Sequence, residues 1–347
     1  MADSSDDTVR LPPAQAARGL QPAGAAPRPV RFGWPVLGCA AMVAAGLAGW
    51  WLWPQAAAPV PPATVVDAEI SPPPQALALP LDTPPARQPA AAPPTVPLLD
   101  EAAIAAHRAD RPVLLRLAEN PRIFVLDFPD LASQGAALNR VAAFVEKAGT
   151  PRDRVLTEAE MQVVLARQGE RADHYYYGHD YRGSDLARFF AFAARDGVAL
   201  TAGEAWVAEQ LRLAQQWERT GEVALISIVA PGGDVDTAAR RTTLRHEIGH
   251  GHDFTLPFYG AHVRRTWHEA LTEQERAAFR TFLGREGYDT GNDDLMAAEM
   301  QAYLLFTPDR RFFSPDMAGL TEDKADDLRD MLRDRATFDG GLPIDPS

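Results

Sequence analysis

The spacing of apolar positions changes along the chain, and each change marks a different kind of segment. From Phe32 to Trp53 there are 22 residues without a charge. After about residue 100 two short apolar runs, Val113–Leu117 and Ile123–Phe128, flank an Asn120-Pro121 turn and predict strands. Helical spacing then dominates. Thr157/Glu160, Thr201/Glu204 and Thr272/Glu275 read as capping boxes, and Ser184 before Asp185 reads as a fourth helix start. Those caps account for Glu160, Glu204 and Glu275 without any catalytic role. The stretch His174–Tyr181, aromatic and polar, predicts a structured loop before the Ser184 helix, or else a wall of a cleft or an approach to a metal. Ala224–Ala230, rich in β-branched residues, predicts another strand, stopped by Pro231-Gly232-Gly233; a helix from about Asp236 to Phe254 follows. There is no internal repeat. The pattern predicts an α+β, predominantly helical domain.

The uncharged run is long enough to cross a bilayer: 22 helical residues reach roughly 33 Å, against a hydrocarbon core of about 30 Å. Phe32 and Trp34 at one end, with Trp50, Trp51 and Trp53 at the other, form the interfacial belts of a spanning helix. Arg18, Arg28 and Arg31 precede it, whereas Asp67 and Glu69 are the first charges after it. The basic side stays in the cytoplasm, so the C-terminal part is exported. In a bacterial cell this means a single-pass inner-membrane protein with a periplasmic domain. Cleavage after Ala56-Ala57-Ala58 would leave Pro59 at the new N-terminus, so an uncleaved anchor is expected. Residues 54–99 hold 14 prolines and no glycine, which predicts an extended linker of up to roughly 140 Å at about 3.1 Å per residue.

Composition sharpens this division. The chain of 347 residues carries a formal charge of −13, and 20 of its 30 prolines lie in the first 99 residues. The remaining 248 residues hold 29 basic and 41 acidic groups, so the foldable part carries nearly all the negative charge. An acidic domain without a basic stripe argues against nucleic-acid binding. The one cysteine, Cys39, falls inside the expected span, so no intrachain disulfide can form. The organisation expected is a cytoplasmic tail (1–31), a transmembrane helix (32–53), a Pro/Ala-rich linker (54–99), an upper lobe (100–220) and a metal-site lobe (221–347), the two lobes forming one catalytic unit.

The candidate chemistry lies in His246-Glu247-Ile248-Gly249-His250 on the helix after the third strand. Positions four apart share a helix face, so both imidazoles can reach one metal ion. Glu247 is about 100° further round, placed to take a proton from a water that the metal acidifies. With 8 histidines in the chain, shuffling produces this pattern about 0.01 times, so coincidence is a poor explanation. An edge strand directly before such a helix would also hold a substrate backbone by strand addition, and Ala224–Ala230 is the candidate.

The five-residue motif and its strand–helix setting resemble the zincin metallopeptidases. Asp253 and Leu256 stand where the metzincin branch has glycine and histidine, which excludes that branch. The gluzincin branch takes its third ligand from a glutamate on a later helix. Candidates after the motif are Glu269, Glu273, Glu275, Glu286, Glu299 and Glu322. Glu299 is preferred: it sits mid-helix among apolar residues after an Asn292 cap, in a Glu-x-x-Ala setting similar to gluzincins of the lethal-factor type. Thermolysin-like spacing would favour Glu269 instead.

The resemblance implies one Zn2+ per chain on His246, His250 and Glu299, with Glu247 as general base. Tyr288 and Tyr303 are open either as oxyanion donors or as packing residues, and His252 is expected at the surface or behind the ligands. The function expected is hydrolysis of a peptide or protein substrate in the cell envelope. Two alternatives are a non-catalytic scaffold with a structural metal site and a zinc hydrolase of non-peptide amides in the cell wall.

Overall fold

The computed structural model describes residues 95–174 and 176–336; the expected tail, membrane span and nearly all of the linker lie outside these residues. Among the described residues no helix is long and apolar enough to cross a membrane. They form a mixed α/β structure, about 58% helical, with one small mixed sheet.

The sheet has five strands in the order β1 (Leu98–Leu99), β2 (Val113–Leu117), β3 (Ile123–Phe128), β5 (Ala224–Val229) and β4 (His179–Arg182). β2 and β3 pair antiparallel, β3 and β5 parallel, and β5 and β4 antiparallel. The predicted strands at 113–117 and 123–128 are present with those bounds.

β5 corrects an expectation. The run before the motif helix is a central strand with neighbours on both sides, and all six of its residues are buried. Helical layers on both faces of the sheet bury its unbroken apolar run, and pairing with β3 and β4 makes it central. The edge beside it is β4, drawn from the segment expected to be a loop. Its His-Asp-Tyr-Arg sequence alternates buried and half-buried positions, as a strand with one covered face does.

The helix starts expected from caps hold at three of four places. Capping boxes open α3 (Glu158–Gln168), α5 (Ala202–Trp217) and α8 (Glu273–Arg285), each with both reciprocal bonds. Ser184 does not cap: α4 (Gly183–Arg195) starts after Arg182 without a side-chain cap, and the Ser184 hydroxyl donates to Glu222 at 2.7 Å.

The sheet lies between two helical layers. On one face, Leu138 of α2 (Leu131–Val145), Phe189 of α4 and Val207 of α5 join Phe124, Leu126 and Leu225 in one cluster. On the other, Ile104 of α1 (Glu101–Ala106) and Leu244 and Ile248 of α6 (Thr237–Thr255) join Ile123, Val125 and Ile226. Both clusters combine residues from either side of residue 220. α7 (Pro257–Glu269), α8, α9 (Asp293–Phe306) and α10 (Glu322–Ala336) share a further core around Trp267, Phe279, Phe282, Met300 and Leu328.

Two devices fix α6. Arg240, fully buried, donates to both carboxylate oxygens of Asp127 on β3 (2.8 and 2.9 Å) and to the carbonyls of Val229 (2.7 Å) and Ile104 (2.9 Å). One guanidinium thereby ties α6 to β3, β5 and α1. On the opposite side Gly249 lets α9 approach, because a Cβ there would collide with the Phe306 ring.

Candidate metal centre

Helix α6 is positioned at its start by Asp236, which accepts the Ala239 amide at 2.6 Å and pairs with Arg311 at 2.7 Å. Its burial is nearly continuous from Ala239 onward, so the His246/His250 face is turned into the protein rather than to solvent. Asn292 caps α9 by accepting from the Leu295 amide at 3.3 Å, and this helix delivers Glu299 to the same place.

The structure brings the three expected ligands together. His246 Nε2 and His250 Nε2 are 3.2 Å apart, and each lies 3.6 Å from a Glu299 oxygen. Ligands arranged tetrahedrally about 2.0–2.2 Å from a zinc ion stand about 3.3–3.6 Å from one another, so these atoms have the spacing of one face of such a site. Two further observations fit a divalent cation: Glu299 Oε2 is buried without a hydrogen-bond partner, and the donor set is two imidazoles and a carboxylate. Glu269 is exposed at the end of α7, lining a separate surface groove with His262 and Arg265.

The tautomer of His246 is fixed from behind. The Thr307 hydroxyl donates to the Ala302 carbonyl at 2.9 Å, so its oxygen accepts from His246 Nδ1–H at 2.8 Å. Nε2 is left with its lone pair toward His250 and Glu299. Thr307 escaped sequence reasoning, although Glu299, Tyr303 and Thr307 recur every four residues, the spacing of one helix face.

Electrostatically the cluster is an acidic pocket closed around two histidines. Burial by itself would raise the Glu299 carboxyl, but His250 and His246 facing it hold it down at about 2. Burial would strip the proton from His250, yet Asp180 and Glu299 on either side keep it protonated well above the ordinary histidine range. A cation bound by both rings would displace that proton. Burial, reinforced by Asp180, pushes Glu247 well above the usual carboxylate range.

Glu247 stands where the spacing placed it. Its Oε2 is buried without a partner, and its Oε1 faces Gly178, the residue before β4, where any Cβ would run into the carboxylate. A cavity of about 20 Å³ is lined by Glu247, His246, Thr243, Tyr303, Thr307 and Phe312. That is room for about one water molecule. Tyr303 packs its ring 4.8 Å from that of His246. Tyr288 is buried but does not line the cavity. A second cleft, of about 220 Å³, reaches the site at Asp180 and Ala298.

Two readings that the sequence left open are narrowed here. His252 is buried, not at the surface; it lies against the Asn120 amide at 3.1 Å, and burial lowers its pKa to about 3. Asp180, inside the segment read as a loop or as an approach to a metal, stands beside the candidate cluster, grouped with Glu247 and His250. The alternation from His179 to Arg182 was the available signal.

No family model, curated protein or solved structure matches the chain.

Proposed function

We propose that this protein is a membrane-anchored, exported zinc metallopeptidase of zincin type, acting on peptide or protein substrates in the cell envelope. His246, His250 and Glu299 would hold one zinc per chain, with Glu247 as general base; residues 32–53 would supply the membrane anchor. The observation that carries the reading is the convergence of three ligands beside an unpartnered buried glutamate, with His246 and Glu247 lining a cavity of single-water size. A structural site closes its coordination with a fourth protein ligand. Here the cluster of His246, His250 and Glu299 has three such ligands, and Glu247 beside it opens on room for a water, which favours catalysis over the scaffold alternative.

When bound, the cation would acidify a water and polarise the substrate carbonyl. The chain does the rest. Glu247 accepts the proton and hands it to the departing amine, a task suited to a carboxylate whose affinity for protons burial has raised. Tyr303, on the same cavity wall, can donate its phenolic hydrogen toward the oxyanion that develops. Thr307 holds His246 in the tautomer that presents Nε2.

The test is Glu247→Gln in the purified chain, assayed for bound zinc by elemental analysis and for turnover against a peptide library. Zinc should remain at one per chain while hydrolysis falls by at least about 10²-fold. Undiminished hydrolysis, or a wild-type chain that folds without retaining zinc, would refute the proposal.

A further inference from the structure

We infer that Asp180, on the edge strand β4, is the positioning residue that presents His250 to the cation; this rests on the metal-site reading above. His250 turns its Nε2 toward His246 Nε2 at 3.2 Å and Glu299 Oε1 at 3.6 Å. For that nitrogen to offer a lone pair, the ring proton must sit on Nδ1. Nδ1 is buried and makes no hydrogen bond, and the carboxylate oxygen facing it is Asp180 Oδ2, at 3.5 Å. Closing that gap by about half an ångström gives a charge-assisted hydrogen bond that locks both tautomer and ring angle. The two ligands are thus held by different devices: a hydroxyl from the end of α9 for His246, and a carboxylate from the sheet for His250.

Sheet register delivers this residue. β4 pairs with β5 so that Asp180 stands opposite Ile226 and Tyr181 opposite Leu225. Alternation sends Tyr181 into the core shared with α2, while Asp180 goes to the other face, toward α6. A slip of one residue would present an aromatic ring to His250 instead. Arg182, the other residue on that face, lies 3.7 Å from Asp253 and over the Phe254 ring, which leaves Asp180 facing His250. Asp180 meets the nitrogen opposite the one that faces the cluster, so it acts through His250 and is not a ligand of the same ion.

The experiment titrates the purified full-length chain with Zn2+ against a chromophoric chelator, with stoichiometry from elemental analysis. Asp180→Ala should weaken zinc affinity by about 10- to 100-fold. Asp180→Asn retains an acceptor for Nδ1–H and should recover most of the loss. Asp185→Asn, a carboxylate lining the same 220 Å³ cleft but paired with Arg188, should stay within twofold of wild type. Circular dichroism of the metal-free variants checks folding, and Asp180→Ser replaces alanine if alanine does not fold. A wild-type chain without zinc affinity overturns the metal site itself. A wild-type chain binding one zinc, matched by Asp180→Ala, overturns the role of Asp180 alone. Two zinc ions in the wild type, one of them lost in Asp180→Ala, would make Asp180 a ligand and overturn the role equally.

Discussion

Replacing Thr307 by valine removes one hydroxyl and keeps the shape of the side chain. The hydroxyl now does two things: it donates to Ala302 O at 2.9 Å and accepts from His246 Nδ1–H at 2.8 Å. The first bond exists with or without metal, so its loss cancels when metal affinities are compared. The second does not cancel, because the metal-free ring can move its proton to Nε2 whereas a bound metal requires it on Nδ1. In valine the buried Nδ1–H has no acceptor, at a cost of about 1–3 kcal/mol, or the ring changes tautomer and turns a protonated Nε2 toward the cation. At about 1.4 kcal/mol per tenfold, that cost weakens zinc binding by about 5- to 150-fold. Competition against a chelator of known affinity measures this directly, and Thr307→Ser, which restores the hydroxyl, should return within a few-fold of wild type. Zinc affinity in Thr307→Val within twofold of wild type would refute the reasoning, since His246 would then need no acceptor from the end of α9.

Other outcomes follow from single contacts. Gly178→Ala forces its new Cβ against Glu247 Oε1 and Thr243, so turnover should fall at least tenfold while bound zinc is unchanged; equal loss of both would place the damage in the fold. Asp127→Ala leaves Arg240 charged and buried beside β3, and urea unfolding should show a loss of about 3–5 kcal/mol. His252 binds its proton at about 3 when folded and about 6.5 when unfolded, so its contribution is full above pH 6.5 and is lost as pH falls toward 3. Glu286, raised to about 7 by burial, has the opposite sign: its penalty appears as pH rises from about 4.5 to 7 and partly masks the histidine in the wild-type curve. The difference between wild type and His252→Gln is therefore the useful quantity. It should shrink by about 1.4 kcal/mol per pH unit below pH 6, and a pH-independent difference would show that His252 is not buried uncharged.

Much of this protein is legible in the order of its residues. Local rules set the capping boxes of α3, α5 and α8, the bounds of β2 and β3, and the caps of α6 and α9, because each depends on contacts within a few positions. The pairing of His246 with His250, and the offset of Glu247 from them, follow from the pitch of one helix. The preference for Glu299 over Glu269 was also available, since a carboxylate among apolar residues has no solvated face to occupy. Tertiary structure decided the rest. Whether a strand is central or at an edge depends on its partners: β5 became central because β4, from a segment expected to be a loop, paired along its outer side. His252 and Asn120 are 132 positions apart, so burial of that ring could not be read locally. Thr307 and Asp180 stand behind the two histidines only because α9 crosses α6 at Gly249 and β4 is held in register by β5. The sequence by itself determined which side chains could hold a metal; the packing of α6 between sheet and α9 decided which others hold those side chains in place, because orientation is a property of contacts between elements and not of spacing within one.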